Sequence, residues 1–538
     1  MSPVASPAPV SFAPSQYFDG NDGKWSTFVV RVGTPEQSFR VLPSTVTSET
    51  FLPLAGACKD NQTISKQDCA FSRGAEIYQG RTNNGFQANL SSTWHEIGIY
   101  QTATREELGY NASGLYGLDT LGLMIANSGG PTLTNQTIGA VINPRLWVGW
   151  LGMDVKPSNF SDFENPQRSL IKTLKDEGYI PSLSYGYTAG AYYKKPNVYG
   201  SLTYGGYDQS RFVPNNVTFP FDANDSRKPS LSIQRIVTQN MSDSIVSLLP
   251  DKAPYTLIDF AEPQIWLPVS VCDQFALAFN LTYDNSTDLY LVDPATHAKL
   301  LETNPTVTFA LGQTPSDLSG TVNIVLPYSA FDQQASYPIY DTPTNYFPIR
   351  RAYNESQYTL GRTFFQEAYV RIDYERSNFS VHQALFPAPD DKQQIVPISS
   401  PDVKVRPRGL GRGAIAGIAV GSILMLLILL SAALCFCRRR AKRVKEPAIE
   451  AIPAVECADQ PKVETEGVAV FEKDGLPFAE MEGHIFPELH CPDQQPETRE
   501  LDIRITRTDL STIFELYESS VAHPEPVVVQ DKAPPEWI

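Results

Sequence analysis

Apolar and polar positions alternate with the two-residue period of strands through most of the chain. Phe28, Val30 and Val32 alternate with Thr27, Val29 and Arg31, which predicts a strand with one face inward. Turn signals such as Gly33-Thr34-Pro35 and Tyr204-Gly205-Gly206-Tyr207-Asp208 recur between such runs. Helical periods are rare. SLIKTLKDEGYI (169–180) and VCDQFALAFN (271–280) are the two predicted helices of this region. The pattern changes at residues 414–437, AIAGIAVGSILMLLILLSAALCFC, which carry no charge and suffice for one transmembrane helix over 413–437. The whole is read as an all-β domain, one membrane helix and a tail.

Composition narrows the function classes. The 538 residues are 42% hydrophobic and 19% charged, enough apolar material for packed cores. Proline, 43 residues, is in excess and points to loop-rich β structure and linkers. The net charge of -16 supplies no basic field, so no nucleic-acid partner is expected. C-x-x-C, H-E-x-x-H, Walker and G-x-S-x-G signatures are absent, and neither metal nor cofactor is expected.

Orientation follows from acceptor sites for N-glycosylation. N-x-S/T occurs at Asn61, Asn89, Asn111, Asn135, Asn159, Asn216, Asn224, Asn240, Asn280, Asn285, Asn354 and Asn378, all before the apolar run. That side is therefore expected to face the secretory lumen or the cell exterior, in a single-pass type I arrangement at the plasma membrane or a secretory-pathway membrane. Basic residues on both sides of the run, Lys404 to Arg412 and Arg438 to Lys445, weakly favour the same topology. Cys58 and Cys69 flank a polar loop and suit a disulfide in an oxidising compartment. Cys272 is left over and reads as a buried thiol, and Cys435 and Cys437 are either palmitoylation candidates or plain apolar residues. The opening MSPVASPAPVSFAPSQ has no leader pattern. A glycosylated ectodomain needs one, so the expectation is a mature chain or one lacking its first segment.

Residues 1–16 are read as an N-terminal segment, 389–412 as a Pro- and charge-rich stalk, and 438–538 as a disordered cytoplasmic tail. From 446 on, the tail carries 6 basic against 21 acidic residues. Its stretch 508–518, TDLSTIFELYE, has the pattern of a short docking helix for a cytosolic partner the sequence does not name. Gly413, Gly417 and Gly421 share one helix face, a pattern that suits a homodimer in the membrane.

The ectodomain repeats itself. VLPSTVTSETFLP (41–53) matches TLIDFAEPQIWLP (256–268), with Ser44 where Asp259 stands. Each is followed, at a nearly equal distance, by an apolar run ending in glycine: LWVG at Gly149 and YTLG at Gly361. Two such halves predict duplicated β lobes, with a cleft between them suited to an extended peptide or protein ligand.

Four motifs, in order, resemble the pepsin-like aspartic proteases. VRVGTPEQSFRVLPSTVTSETFLP looks like the family's opening "IGTPxQxFxVxxDTGSSxLWVP", and SGLYGLDTLGL (113–123) like the strand that leaves the flap. GSLTYGGYDQSRF (200–212) is similar to "G-x-L-x-F-G-G-x-D-x-x-x-F/Y", and YTLGRTFFQEAYVRIDYERSNFSV (358–381) to the closing "ILGDxFLRxxYVVFDxxxxxIGFA". The resemblance covers about 17–388 and implies a bilobal double β-barrel, with lobes near 17–212 and 213–388. The anchor and tail resemble membrane-anchored fungal members.

The resemblance also implies two catalytic aspartates sharing one proton. Here the first position is Ser44 in Ser44-Thr45-Val46, and the second keeps Asp259 in Asp259-Phe260-Ala261, so both turn glycines are missing. A serine hydroxyl cannot stand in for a carboxylate base. Glu49 and Glu262 are the nearest replacements, and as default surface carboxylates they are weak ones; His95, His297 and His382 form no recognisable triad. The flap segment GYNASG (109–114) is short, and Tyr110 is its nearest tyrosine. The favoured reading is an inactive pseudoprotease that binds peptide or cell-wall material at the cell surface. The alternatives are an active aspartic endopeptidase with an atypical site, and a receptor that signals through its acidic tail.

Overall fold

The computed structural model describes residues 6–402, apart from 59–63, 103, 224–228, 240–243, 317–319 and 389, and residues 412–441. Asn61, Asn224, Asn240, most of the tail with its stretch 508–518, and part of the stalk lie outside the described residues. The chain divides into two units, Met1–Lys404 and Val405–Ile538.

The first unit is built from strands, as the two-residue periods predict. One eight-stranded sheet occupies the first half, in the order Pro14–Asp19, Trp25–Val32, Gln37–Ser44, Gly149–Gly152, Thr50–Pro53, Thr132–Val141, Ser113–Leu123, His95–Gln101. The second half repeats this plan around Ser230–Gln239, Tyr255–Ile258, Thr359–Leu360, Ile265–Pro268 and Ile349–Ala352. A six-stranded sheet takes strands from both halves, and they meet where Ser184–Tyr187 pairs antiparallel with Val370–Asp373.

Burial departs from alternation in an instructive way. All eight residues of Trp25–Val32 are buried, not only Phe28, Val30 and Val32. The strand lies in the first-half sheet and packs on the six-stranded sheet through Ser184–Ala191 and Val198–Tyr204. Both its faces are therefore covered, and Arg31 is accommodated by donating to the Met124 carbonyl at 2.9 Å and the Thr132 hydroxyl at 3.2 Å.

The internal repeat is present, with one correction to its register. Ser44 lies beside Gly152 in a parallel pair. In the second half, Ile258 lies beside Leu360, which brings Asp259 level with Gly361. Gly152, three residues after the expected Gly149, is thus the counterpart of Gly361. The reason is steric. A Cβ on Gly152 would meet the Ser48 carbonyl carbon at 2.5 Å, and one on Gly361 would meet the Gln264 oxygen at 2.1 Å. In each half the loop after the Ser44 or Asp259 position passes directly against a glycine.

The helix expected over 169–180 is Leu170–Asp176, started by Ser169, whose hydroxyl accepts from the Lys172 N–H. That expected over 271–280 is Val269–Phe279, and it ends at Asn280 in the left-handed region. The stalk begins later than 389. Ile395–Pro397 pairs with Gly206–Asp208, flanked by bonds from Gln209 N–H to the Gln394 carbonyl and from Ile398 N–H to the Gly205 carbonyl. Gly206 permits this approach, because a Cβ there would lie 2.3 Å from the Val396 oxygen. A three-residue strand held by backbone bonds needs no apolar period, so composition alone assigned it to a linker.

Cys58 and Cys69 are joined in a disulfide, and Cys272 is a buried free thiol. Of the acceptor asparagines among the described residues, all are exposed except Asn378, which is half-buried. In the second unit one helix runs Arg412–Ala441. Its segment Val420–Arg439, of mean hydropathy 2.6, is long and apolar enough to cross a membrane.

A buried cation ties the N-terminal strand to this framework. Arg40 is fully buried, bonds both Asp19 oxygens at 2.9 and 3.0 Å, pairs with Glu76, and lies 4.4 Å from the Tyr17 ring centroid. Removing one member of such a group leaves an uncompensated buried charge. Arg40→Met is expected to cost about 3 kcal/mol, read as a clear drop in the thermal midpoint, and Asp19→Asn made with it should restore part of the loss. A midpoint unchanged in Arg40→Met would show the ion group to be energetically neutral.

Candidate functional site

The two repeated turns meet between the lobes. Ser44 ends its strand fully buried, with its carbonyl taking the Met153 N–H at 2.8 Å. Its hydroxyl has no hydrogen-bond partner. The next residue joins the halves, since the Thr45 hydroxyl donates to the Ile258 carbonyl at 2.7 Å. No matching bond returns from Phe260, which has no hydroxyl. Its ring instead fills an aromatic cluster with Tyr187 at 4.3 Å and Phe365 at 4.8 Å. The latch between the turns is therefore one-sided.

Asp259 is 1% exposed. Its Oδ1 accepts from the Ala261 N–H at 2.9 Å. Its Oδ2 accepts no hydrogen bond, and its nearest charge is the Nε of Arg105 at 3.5 Å. Burial pushes the carboxyl up to about 6; Arg105 opposes the shift, and Glu262 adds to it. The Phe260 and Ala261 carbonyls on the other side of the turn both accept from Arg362 Nη1.

Arg105 was not singled out in the sequence, where it is one cation in a polar loop. It belongs to the segment between strands His95–Gln101 and Ser113–Leu123, and its φ is 53°, a conformation few non-glycine residues adopt. The side chain points inward and is 8% exposed. Its Nη2 donates to the Thr359 hydroxyl at 2.6 Å, and its Nε lies 3.1 Å from Glu107. The segment is pinned from both lobes: Gln357 donates to the Glu107 carbonyl at 2.6 Å, and Arg145 to the Leu108 carbonyl at 2.6 Å. It lies closed over Asp259.

Tyr110, the expected flap tyrosine, is in this segment. Its ring packs on Trp150 with centroids 4.9 Å apart, and its hydroxyl donates to Glu262 Oε2 at 2.9 Å. Burial, and after it Glu262, drives its pKa well upward, so it stays a donor. Glu262 is only 1% exposed, which corrects its default assignment to the surface. The buried Asp259 turn carries it inward, where Tyr110 and Arg362 receive it. Glu49 is half-buried and accepts from the Thr47 hydroxyl. Its charge acts on Tyr116 and Asp154. Asp22, half-buried, lies 3.7 Å from Arg362 and is bonded by the Trp25 indole N–H at 2.6 Å; desolvation raises its pKa, and Arg362 opposes this.

His95, His297 and His382 lie apart from Ser44. His297 pairs with Asp332, His382 bonds Ser380, and His95 is exposed on its strand. Behind Tyr110, beside Ala261 and Arg362, is a cavity of about 10 Å³, close to the lower limit for one water. A larger one of about 260 Å³ lies further out, with Asp22 and Tyr110 on its inner wall and Asp288 and Ile339 on its outer wall. Among the described residues no cluster could hold a metal ion.

A family model described as eukaryotic aspartyl protease matches residues 27–384. No curated protein matches the chain.

A carboxyl with a raised pKa keeps its proton in the folded state between pH 3.8 and about 6, where the unfolded chain has lost it. The folded state binds more protons in that window, so this group's contribution to stability falls as pH rises through it. The fall in thermal midpoint over the window should be shallower in Asp259→Asn, which keeps the bond from Ala261. Equal slopes in the two proteins would mean that Asp259 titrates as an ordinary carboxylate.

Proposed function

We propose that this chain, which belongs to the eukaryotic aspartyl protease family, is a membrane-anchored pseudoprotease, whose domain recognises peptide or cell-wall material without hydrolysing it. The observation that carries the reading is the company Asp259 keeps. The position opposite it is a buried serine hydroxyl, and the group that reaches it is the guanidinium of Arg105. Two-carboxylate hydrolysis needs one group to take a proton from water while another gives one to the carbonyl. Ser44 has no charge with which to serve as base. A guanidinium side chain is not a general acid.

Glu262 is the nearest alternative carboxylate, and its geometry argues against the role. Its Oε2 is occupied by the Tyr110 hydroxyl, and the partners found around Asp259 are the Ala261 N–H and Arg105. The closed segment adds a second barrier, because Arg105 stands where a substrate carbonyl would have to approach. A ligand therefore either binds outside the closed segment or displaces it. The span at Val420–Arg439 and the exposed acceptor asparagines support a glycosylated domain on the outer face of a single-pass anchor.

Two outcomes test this. Purified full-length chain in detergent should leave an unfolded protein substrate intact at acid pH. Ser44→Asp should fold yet be feeble at best, since Val46 and Ala261 still stand for the turn glycines; Ser44→Asp/Val46→Gly/Ala261→Gly should do better, and better again with Arg105→Ala. Acid proteolysis by the unmodified chain that disappears in Asp259→Asn would replace this reading with an active, atypical endopeptidase. For topology, glycosidase treatment of intact cells should shift the mobility of the chain strongly. An ectodomain protected from external protease would reverse the assigned orientation.

A further inference from the structure

A second cavity, of about 310 Å³, lies on the six-stranded sheet away from Asp259. Its floor is the pair of strands Ala368–Asp373 and Asn378–Gln383, which present Arg371 beside Ser380 and Asp373 beside Asn378. Its roof is the segment Pro397–Ser399 and Tyr207, held together by the strand pair that replaces the start of the expected stalk.

The charges around this cavity are not balanced. Asp373 is fully engaged: its Oδ1 accepts from the Glu375 and Arg376 N–H groups, both at 3.1 Å, and its Oδ2 from Arg376 Nη1 at 2.6 Å. Arg376 spends its remaining reach on the Ser399 carbonyl at 2.9 Å. Among the described residues Arg371 has no such partner. Its guanidinium stacks on the Tyr207 ring at 4.1 Å, and its Nε is buried without a hydrogen-bond acceptor. The Nε is closed off from solutes, so the terminal nitrogens, which have no acceptor among the described residues, are what an anion in the cavity can reach. Its uncompensated charge is felt nearby. His382 is driven down to about 4, first by burial and then by Arg371.

We propose that this cavity binds a small phosphate-bearing solute, with Arg371 as the anion-binding residue. A guanidinium held flat by stacking offers parallel N–H donors that match two phosphate oxygens. Thr218 and Ser380 line the same space and supply neutral polar groups for the rest of the molecule. The volume exceeds what phosphate needs, so a phosphorylated sugar suits it better than the free ion. The site is independent of the Asp259 cleft and of whether that cleft is catalytic.

The test uses full-length chain in detergent at fixed ionic strength, with inorganic phosphate, glucose 6-phosphate and glucose as probes in calorimetric titrations. One saturable site is expected for the two phosphates and none for glucose, with glucose 6-phosphate the tighter. Arg371→Met should weaken both at least tenfold, and Arg371→Lys should fall between. Absence of saturable phosphate binding, or an affinity unchanged in Arg371→Met, overturns the proposal; phosphate bound more tightly than its sugar ester refutes the sugar-sized ligand. A second measurement is independent of any variant's folding: deuterium exchange at the His382 ring carbon, read by mass spectrometry against pH. Phosphate bound at Arg371 offsets its charge, so the His382 titration should move up when phosphate is added, and no movement counts against the site. Binding that appears only after glycan removal would make a glycan on Asn378 the occupant and would likewise overturn the proposal.

Discussion

A carboxylate taken out of water needs a partner that holds either its charge or its proton. Asp259 meets this requirement without a carboxyl at the matching turn of the other lobe, where Ser44 stands. Its electrostatic partner is now a cation, Arg105 at 3.5 Å. The arrangement around the cleft follows from that contact. To deliver Arg105, the segment between strands His95–Gln101 and Ser113–Leu123 adopts a left-handed turn and lies down between the lobes, where Gln357 and Arg145 hold it. Tyr110 is carried inward on the same segment and meets Glu262. The buried acids Asp259 and Glu262 are thus met by side chains of one segment, Arg105 and Tyr110.

The second turn has been rebuilt to match. Arg362 follows Gly361 and donates to the carbonyls of Phe260 and Ala261, so a cation underpins the turn. It also faces Asp22 at 3.7 Å, and its backbone N–H donates to the Glu262 carbonyl at 2.7 Å. Phe260 trades a hydrogen bond to the other lobe for packing against Tyr187 and Phe365. The changes at Ser44, Phe260, Glu262 and Arg362 are mutually consistent: carboxylates and guanidiniums alternate through the interior, and aromatic packing replaces one arm of the latch. The lobes remain joined through Thr45 and the shared six-stranded sheet, so the scaffold does not depend on what the turns carry.

The same accounting of charge separates the two cavities. Near Asp22 and Tyr110, acids and guanidiniums offset one another within the protein. On the six-stranded sheet, Asp373 and Arg376 satisfy each other, and Arg371 is left over. A protein that has closed one charged site on itself has left the other open to solutes.

Periodicity, spacing and residue chemistry, each local in the chain, were enough to point to the duplicated β lobes, a helix long and apolar enough to cross a membrane, the Cys58–Cys69 pair and a serine at the first repeated turn. Strand alternation reports a buried face, an uncharged run reports a span, and Ser44 declares its own lack of charge. Tertiary structure decided what depends on groups distant in sequence. Trp25–Val32 is buried on both faces because a second sheet covers it, and alternation cannot announce that. Gly152 rather than Gly149 partners Gly361, because the register is set by how closely a loop passes. Ile395–Pro397 is a strand because Gly206 leaves it an edge. Glu262 is interior because the turn that bears it is, and Arg105 meets Asp259 across more than 150 residues of chain, an encounter of charges that no local pattern encodes.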